Sequence, residues 1–274
     1  MAESVFRTAG ELFTPTGHAR GPWDPGALHG GAPAALITSL FEQATPGAEL
    51  PFARLHFSFL RPVPMAQLDV STAITRPGRR VQELGAEIKA DGLPVCRASA
   101  LRLQQVPGEL PPSALEVLER EASAPLEGPE HGREVRFALE NSSHDSFAAS
   151  AMEMRFLHGN PLDTSGTGIQ AGSAVVWMRL RHPLLPDLPL TPLVRLVAAA
   201  DFGNGVSAAL PFLEYLFINA DLAITLERRP QGEWIGLDAR TLLRPDGVGW
   251  ARSVLHDQQG RVGVATQALV VQRR

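Results

Sequence analysis

The sequence contains one stretch of about forty residues twice, and this repeat constrains the fold more than any other feature. Arg61-Pro62 recurs as Arg229-Pro230 (229 − 61 = 168), and Arg76-Pro77 recurs as Arg244-Pro245 at the same offset. A segment repeated without a gap is one supersecondary unit present twice. With 274 residues, 44% of them hydrophobic, the chain is large enough for two units of about 120 residues each.

A segment rich in proline, glutamate and serine lies between the two copies. It covers residues 105–133, and its composition is typical of a linker. The sequence therefore predicts an N-terminal unit over residues 1–104 and a C-terminal unit over residues 134–274. A short surface helix is predicted within the linker at residues 112–122.

Each copy is predicted to form four successive antiparallel strands, because its apolar residues alternate or cluster in short runs bounded by turn residues. Turns such as Pro77-Gly78 and Asp91-Gly92 supply the backbone angles that hairpins need. The predicted strands cover residues 53–61, 67–75, 80–89 and 95–103 in the first copy, and 216–226, 234–243, 248–255 and 262–272 in the second.

A helix is predicted before the strands of each copy, over residues 34–43 and 193–201. Pro33 and Pro192 lie in the first turns, where a missing N–H group is harmless. Both helices are apolar on most faces, so we expect each to be buried against a curved sheet. The sequence thus predicts an α+β fold.

The order of strand, buried helix and antiparallel meander resembles the hotdog fold, and the chain resembles the acyl-CoA thioesterases in which two hotdog units are fused. The segments that carry the resemblance are Leu28-His29-Gly30-Gly31, Phe57-Ser58-Phe59-Leu60-Arg61-Pro62-Val63 and Ala265-Thr266-Gln267. It implies two fused units, each a long helix wrapped by a curved antiparallel sheet. It also implies hydrolysis of an acyl-CoA to a free acid and CoA by direct attack of an activated water, without a cofactor. Because matching copies have matching edges, we expect one continuous sheet with both helices on the same side.

The second copy carries polar side chains where the first carries small ones. At the offset of the repeat, Ala53, Ala73 and Ser99 correspond to Asp221, Thr241 and Gln267. In the resembling family an Asp, a Ser or Thr and a Gln of the second unit activate the water. The resemblance therefore implies Asp221 as the base, with Thr241 and Gln267 as its partners.

Two points of this assignment stay open in the sequence. A shift of the alignment by one residue places Leu242 at the position of Thr241. Each helix also carries an acid nine positions after its proline, Glu42 and Asp201. A carboxylate near a helix C-terminus opposes the helix dipole, so such a residue needs a partner or a role. Asp201 is accordingly a further candidate site residue.

His29-Gly30-Gly31 precedes the first helix and is predicted to bind the substrate. Backbone N–H groups at a helix N-terminus stabilise negative charge, and glycine allows close approach. The same residues also suit a tight turn that packs the helix against its sheet, and both interpretations hold together.

Two other functions remain possible from the sequence. One is a non-catalytic protein that binds an acyl group or acyl-CoA. The other is an enoyl-CoA hydratase, whose Asp/His motif resembles His158-Gly159-Asn160-Pro161-Leu162-Asp163 with its ends exchanged. A lipase-type hydrolase is disfavoured, because Gly205-Val206-Ser207-Ala208-Ala209 lacks the last glycine of the nucleophile motif.

Composition and charge limit the partners and the location. The net charge of −4 argues against binding of nucleic acid. The sequence contains no run of 18 or more apolar residues and therefore predicts no membrane span. Residues 1–13 lack the charged and apolar zones of a signal peptide, so the sequence predicts a cytoplasmic protein. The spacing of the eight histidines suggests no metal site, and Cys96 is predicted as a small buried hydrophobic residue. The paired units also predict a homodimer.

Overall fold

A computed structural model of the chain describes residues 3–44, 50–106, 108, 110–121, 125–136, 145–159 and 172–274. The strands of the first copy are β1 (Phe6–Ala9), β2 (Leu12–Pro15), β3 (Phe52–Phe59), β4 (Leu68–Arg76), β5 (Val81–Ala90) and β6 (Leu93–Leu103), with helix α1 (Gly31–Ala44) between β2 and β3. Helix α2 (Pro112–Glu121) follows.

The second copy repeats this order with an additional short helix and two additional short strands. Its strands are β7 (Arg133–Glu134), β8 (Met152–His158), β9 (Ser173–Leu180), β10 (Tyr215–Asn219), β11 (Asp221–Leu226), β12 (Ile235–Leu243), β13 (Val248–Asp257) and β14 (Gly260–Arg273). Helices α3 (Pro192–Ala200) and α4 (Gly203–Val206) lie between β9 and β10. The offset of the repeat superimposes β3 to β6 on β11 to β14, which confirms the repeat as a structural one.

All fourteen strands belong to one sheet, in the order β1-β2-β4-β5-β6-β3-β11-β14-β13-β12-β9-β8-β7, with β10 paired to β14. The two copies meet where β3 pairs with β11 in antiparallel orientation, with Ser58 opposite Asp221. β3 and β11 are equivalent strands of the two units, and their pairing covers an edge of each unit. The α+β class and the paired hotdog units are confirmed.

Helices α1 and α3 contact each other and the sheet, and their apolar side chains form the core with the inward-facing strand residues. Thr191 caps α3, since its hydroxyl accepts a hydrogen bond from the Val194 N–H at 3.2 Å. Helix α3 has the predicted length of 9 residues but begins and ends one residue earlier than predicted, so it ends before Asp201, whereas α1 has 14 residues. Asp201 is therefore the C-cap of α3, a position from which a side chain can turn back toward the sheet.

Part of the linker packs against the second half of the sheet. The Trp177 indole N–H donates to the Glu127 carbonyl at 2.6 Å. The alternation of side chains along β9 places Trp177 on the outer face of the sheet, yet it is fully buried. In the described residues, no helix has both the length and the hydropathy that crossing a bilayer requires.

Candidate active site

Asp201 is the centre of a buried polar cluster between the two copies. Its side chain is 2% exposed, and it lies at the C-terminus of α3, where the helix dipole disfavours a negative charge. Burial of an ionised carboxylate requires hydrogen-bond donors. Three side chains from other parts of the fold lie close to the Asp201 carboxylate: Asn219, Gln267 and His29.

The first two partners are neutral amides on adjacent strands. Asn219, the last residue of β10, donates from Nδ2 to Asp201 Oδ1 at 2.8 Å. Gln267, on β14, donates from Nε2 to the Asp201 carbonyl at 3.0 Å and lies 3.4 Å from Oδ1. Amide donors stabilise the carboxylate without adding a positive charge to the cluster.

Both ends of the Gln267 side chain are fixed. Its Oε1 accepts from the Asn204 N–H at 3.0 Å, and Asn204 in turn donates from Nδ2 to the Phe217 carbonyl at 2.9 Å. Gln267 is 2% exposed and Asn204 is 5% exposed. Because each amide group has a partner, the orientation of Gln267 is defined by the network, and helix α4 is tied to the same strand.

The third partner, His29, comes from the first copy. Its Nδ1 accepts a hydrogen bond from the Gly31 N–H at 3.1 Å and lies 3.0 Å from Asp201 Oδ2, while its ring stacks on Phe202 at 4.1 Å between centroids. The site is thus built by both units, with the imidazole from one and the carboxylate from the other.

Glycine allows the start of α1 to approach Asp201. A Cβ at Gly30 would lie 2.8 Å from Asp201 Oδ2 and 2.9 Å from Phe59 Cζ, and a Cβ at Gly31 would lie 2.7 Å from the Ala198 carbonyl. Any larger residue would displace the carboxylate or the helix. The N-terminus of α1, where the helix dipole is positive, therefore faces the carboxylate and the space beside it.

The structure does not bring Asp221 into this cluster. Side chains alternate between the two faces of a strand, and Asp221 shares the outer face with Ala268, whose N–H donates to Asp221 Oδ1 at 2.7 Å. Gln267 points to the inner face. Asp221 is 32% exposed and lies 3.5 Å from His56 Nε2. The position beside Gln267 that the sequence predicts for Asp221 is occupied by Asp201.

Thr241 lies on the inner face but two strands away from Gln267, since it pairs with Ala251 and Ala251 pairs with Gln267. Its hydroxyl is 2.7 Å from Ser207 Oγ, which donates to the Gly203 carbonyl at 2.8 Å. Thr241 therefore supports the end of α4 and has no hydrogen bond to Asp201 in the described network. The alternative residue Leu242 is 46% exposed on the outer face.

Asn219 is the site residue that sequence reasoning missed. Position 219 corresponds to Pro51 at the offset of 168 residues, so the comparison of the two copies that singled out Asp221 also contained this signal. Because the resemblance implies a hydroxyl group as the partner of the base, the comparison did not select Asn219. The structure has a carboxamide where the resemblance implies a Ser or Thr.

The two acids that lie nine positions after the helix prolines, Glu42 and Asp201, make different contacts. Glu42 accepts from the Thr191 hydroxyl at 2.7 Å and so links α1 to the cap of α3, and burial raises the pKa of its carboxyl group. Glu42 thus contacts a helix cap, whereas Asp201 contacts amide groups and an imidazole.

Cys96 is fully buried, as predicted. Burial and the nearby charge of Asp201 raise the pKa of the Cys96 thiol to about 12. At neutral pH this residue is a thiol and not a thiolate, which excludes it as a nucleophile.

Two family models match the chain. The acyl-CoA thioesterase N-terminal domain matches residues 19–103, and the acyl-CoA thioesterase C-terminal domain matches residues 121–271. A search of curated proteins gave no match.

Solved structures share the fold at low sequence identity. A hotdog-fold protein from Alicyclobacillus acidocaldarius superimposes with a TM-score of 0.69 at 17% identity, over 98% of this chain and 95% of that chain. An acyl-CoA thioesterase II from Mycobacterium marinum gives a TM-score of 0.63 at 16% identity, over 100% of this chain and 95% of that chain. At such identities the likeness establishes the fold. Together with the two domain matches, it shows that the chain belongs to the double-hotdog acyl-CoA thioesterase family of thioester hydrolases.

Proposed function

We propose that the protein hydrolyses an acyl-CoA at Asp201, with water as the nucleophile. The observation that carries this proposal is the buried Asp201 carboxylate, held by Asn219 and Gln267 and facing His29 and the N-terminus of α1. A carboxylate that is held by neutral donors in a water-poor site is suited to act as a general base.

In this mechanism Asp201 removes a proton from a water molecule as the oxygen attacks the thioester carbonyl. The negative charge that develops on the carbonyl oxygen is stabilised by backbone N–H groups at the start of α1, in the segment His29-Gly30-Gly31. Collapse of the tetrahedral intermediate breaks the carbon–sulfur bond and releases the thiolate of CoA. The proton taken by Asp201 passes to bulk water when the products leave.

The substrate class follows from the family, whose name specifies acyl-CoA. We propose a role in fatty acid metabolism on the same ground. Apolar residues around the cluster, including Phe59, Phe147 and Phe202, suit an acyl chain better than a charged group. The cytoplasmic location stays a prediction of the sequence.

The His29–Asp201 pair also favours a second candidate, hydration of an enoyl-CoA. An aspartate with a histidine beside it can activate water for addition to a double bond as well as for hydrolysis. The motif from which the sequence suggested this reaction begins at His158, but residues 160–171 lie outside the described part of the chain.

Release of free thiol from saturated acyl-CoA substrates of several chain lengths tests the first candidate. We expect thiol release that saturates with substrate at turnover numbers on the order of 1–10³ s⁻¹, the usual range for enzymes. Enoyl-CoA is incubated in parallel and followed by loss of its conjugated absorbance. Loss of that absorbance without thiol release would favour the hydratase, whereas binding without either change would indicate an acyl-binding protein.

We further propose that two chains associate through the outer face of the second unit. Trp250 is 43% exposed there, opposite Leu242, which is 46% exposed. Val248 and Val270 pair with each other on the same face and are more than half exposed. An apolar patch of this kind on a sheet is typical of an interface, and a two-fold axis would pair the patch with itself.

Replacement of Trp250 by glutamate is expected to convert the dimer to a monomer, because a charge would be buried in each copy of the interface. Sedimentation equilibrium measures the change. Leu93→Glu is the matched control, since Leu93 is 59% exposed in β6 of the first unit. A Trp250→Glu protein that remains dimeric would exclude this face, and a monomeric native protein would exclude the dimer.

A further inference from the structure

A cavity of about 350 Å³ lies between the two units, and its lining includes no residue of the Asp201 cluster. Its charged lining residues are Glu42, Arg102 and Arg229, and most of the others are apolar residues of both units, such as Leu193 and Leu226. A concave space of this volume, mostly apolar with a few charged groups, is typical of a site for a small molecule. The charged groups limit which molecule can bind.

The position of the cavity corresponds to that of the Asp201 site. Glu42 and Asp201 each lie nine positions after a helix proline (42 − 33 and 201 − 192), and Pro51 and Asn219 are separated by the repeat offset of 168. An approximate two-fold relation of the units therefore places the cavity as the counterpart of the active site. Pro51 offers no side-chain donor where the active site has Asn219, so we expect binding in this cavity and not hydrolysis.

Arg229 is exposed at the rim of the cavity. Its guanidinium group makes no hydrogen bond or ion pair with any residue that the structure describes. The backbone at this position is nevertheless fixed, because Arg228 donates to both carboxylate oxygens of Asp257 at 2.6 Å and to the Arg229 carbonyl at 3.2 Å. A charged donor is thus held beside the cavity with its hydrogen-bonding capacity unused.

Arg102 supplies a second positive charge from the interior. It is 4% exposed, its Nε donates to the Leu50 carbonyl at 2.7 Å, and its guanidinium carbon lies 5.0 Å from the centroid of the Phe52 ring. Burial, followed by the nearby charge of Arg229, lowers the pKa of the Arg102 guanidinium, and Glu42 acts in the opposite direction. Both arginines stay protonated at neutral pH, so an anion placed beside them is attracted by two charges.

We propose that the cavity binds a free fatty acid, with its carboxylate at Arg229 and Arg102 and its alkyl chain against the apolar lining. Guanidinium groups bind carboxylates with two parallel hydrogen bonds, and burial of the methylene groups stabilises the complex. The choice of ligand rests on the proposed function, since hydrolysis of an acyl-CoA releases a molecule of this class. The corresponding position in the other half of the molecule is the one proposed to accept the acyl group.

Glu42 is the one acid among the described residues that line the cavity. It accepts a hydrogen bond from the Thr191 hydroxyl at 2.7 Å, and burial raises the pKa of its carboxyl group. A glutamate that is protonated more readily than an exposed one repels a second carboxylate less, and in its protonated form it can donate to that carboxylate. An anion without an alkyl chain, such as inorganic phosphate, would leave the apolar lining without a partner.

Crystals of the full chain soaked with ω-bromodecanoate test the position of the ligand. Anomalous diffraction is expected to place the bromine against the apolar lining, and the carboxylate is expected within hydrogen-bond distance of the Arg229 guanidinium. Bromine at the Asp201 cluster alone, or no bound bromine, would overturn the proposal.

Calorimetric titration with decanoate tests the same site in solution. The native chain is expected to bind one decanoate with an affinity that Arg229→Glu lowers at least about tenfold, because a repulsive charge replaces the unpaired guanidinium. Arg244→Glu, at an exposed arginine beside Asp246, is the matched control and is expected to keep the native affinity. Equal affinity of the three proteins for decanoate, or binding of inorganic phosphate as tight as that of decanoate, would overturn the proposal.

Thiol release from acyl-CoA, measured on the same proteins, separates this proposal from the proposed function. Arg229 lies outside the Asp201 cluster, so we expect Arg229→Glu to have a kcat close to that of the native chain. Decanoate bound in the cavity of a chain that releases no thiol would support the site and refute the proposed function. Thiol release by a chain that binds no decanoate in the cavity would refute the site alone.

Discussion

Asp201→Asn is expected to lower kcat for acyl-CoA hydrolysis by about 10³-fold, within the range for loss of a general base. Asparagine has the same shape and can still accept the hydrogen bond from Asn219, so the fold and KM are expected to change little. Steady-state kinetics measure the loss of rate, and circular dichroism verifies the fold. The effect belongs to kcat because the proton is transferred only as water attacks.

Asp221→Asn is the matched control for this experiment. It replaces the acid of β11, which accepts a hydrogen bond from the Ala268 N–H on the outer face, and asparagine can accept the same bond. We expect a kcat close to that of the native protein. The reverse outcome, a large loss with Asp221→Asn and a small one with Asp201→Asn, would return the base to the strand and refute the proposed mechanism.

Gly203→Ala is expected to damage the site by steric displacement. A Cβ at Gly203 would lie 2.7 Å from Ser253 Oγ and 2.8 Å from Gln267 Oε1, so Gln267 must move away from Asp201. We expect kcat/KM to fall by about 10²-fold, as for other small displacements of catalytic groups. Overpacking is expected to lower the free energy of unfolding by about 2 kcal/mol. Kinetics and denaturant titration measure the two effects.

Gly205→Ala, two positions along the same helix, provides the comparison. Nothing lies within 4 Å of a Cβ built at Gly205. Alanine there is expected to leave kcat/KM unchanged and to raise the free energy of unfolding by up to about 1 kcal/mol, because glycine loses more backbone entropy on folding. Equal losses of activity in both variants would indicate that α4 tolerates no substitution, and the role assigned to the Gln267 contact would then be wrong.

The fold could be predicted from the sequence because its signals are local and occur twice. Alternating strands, hairpin turns and prolines at helix starts each act over a few residues, and the constant offset of 168 showed that β3 to β6 and β11 to β14 correspond. The joining of the two sheets into one followed from equivalent edges, without specifying which strands pair. These features can be recognised without knowing which distant side chains contact each other.

The site was predicted only in part because it depends on distant contacts. Gln267 was found, and Asp201 was identified as an acid in need of partners. The choice between Asp221 and Asp201 depended on which face of β11 points inward, and a shift of one residue reverses that face. Asn219 forms its contact because β10 ends beside the C-terminus of α3, and no periodicity reports such proximity.

In the proposed mechanism, the unequal ends of the two helices give one active site per polypeptide. Two identical units related by a two-fold axis would generate a pair of equivalent catalytic centres, each borrowing the glycine loop of its neighbour. In this chain Asp201 faces that loop, whereas Glu42 is engaged by the Thr191 hydroxyl at the cap of α3. In the proposed mechanism neither half alone contains a whole site, so titration with a tight inhibitor should count one centre per fused chain and none in a separated half.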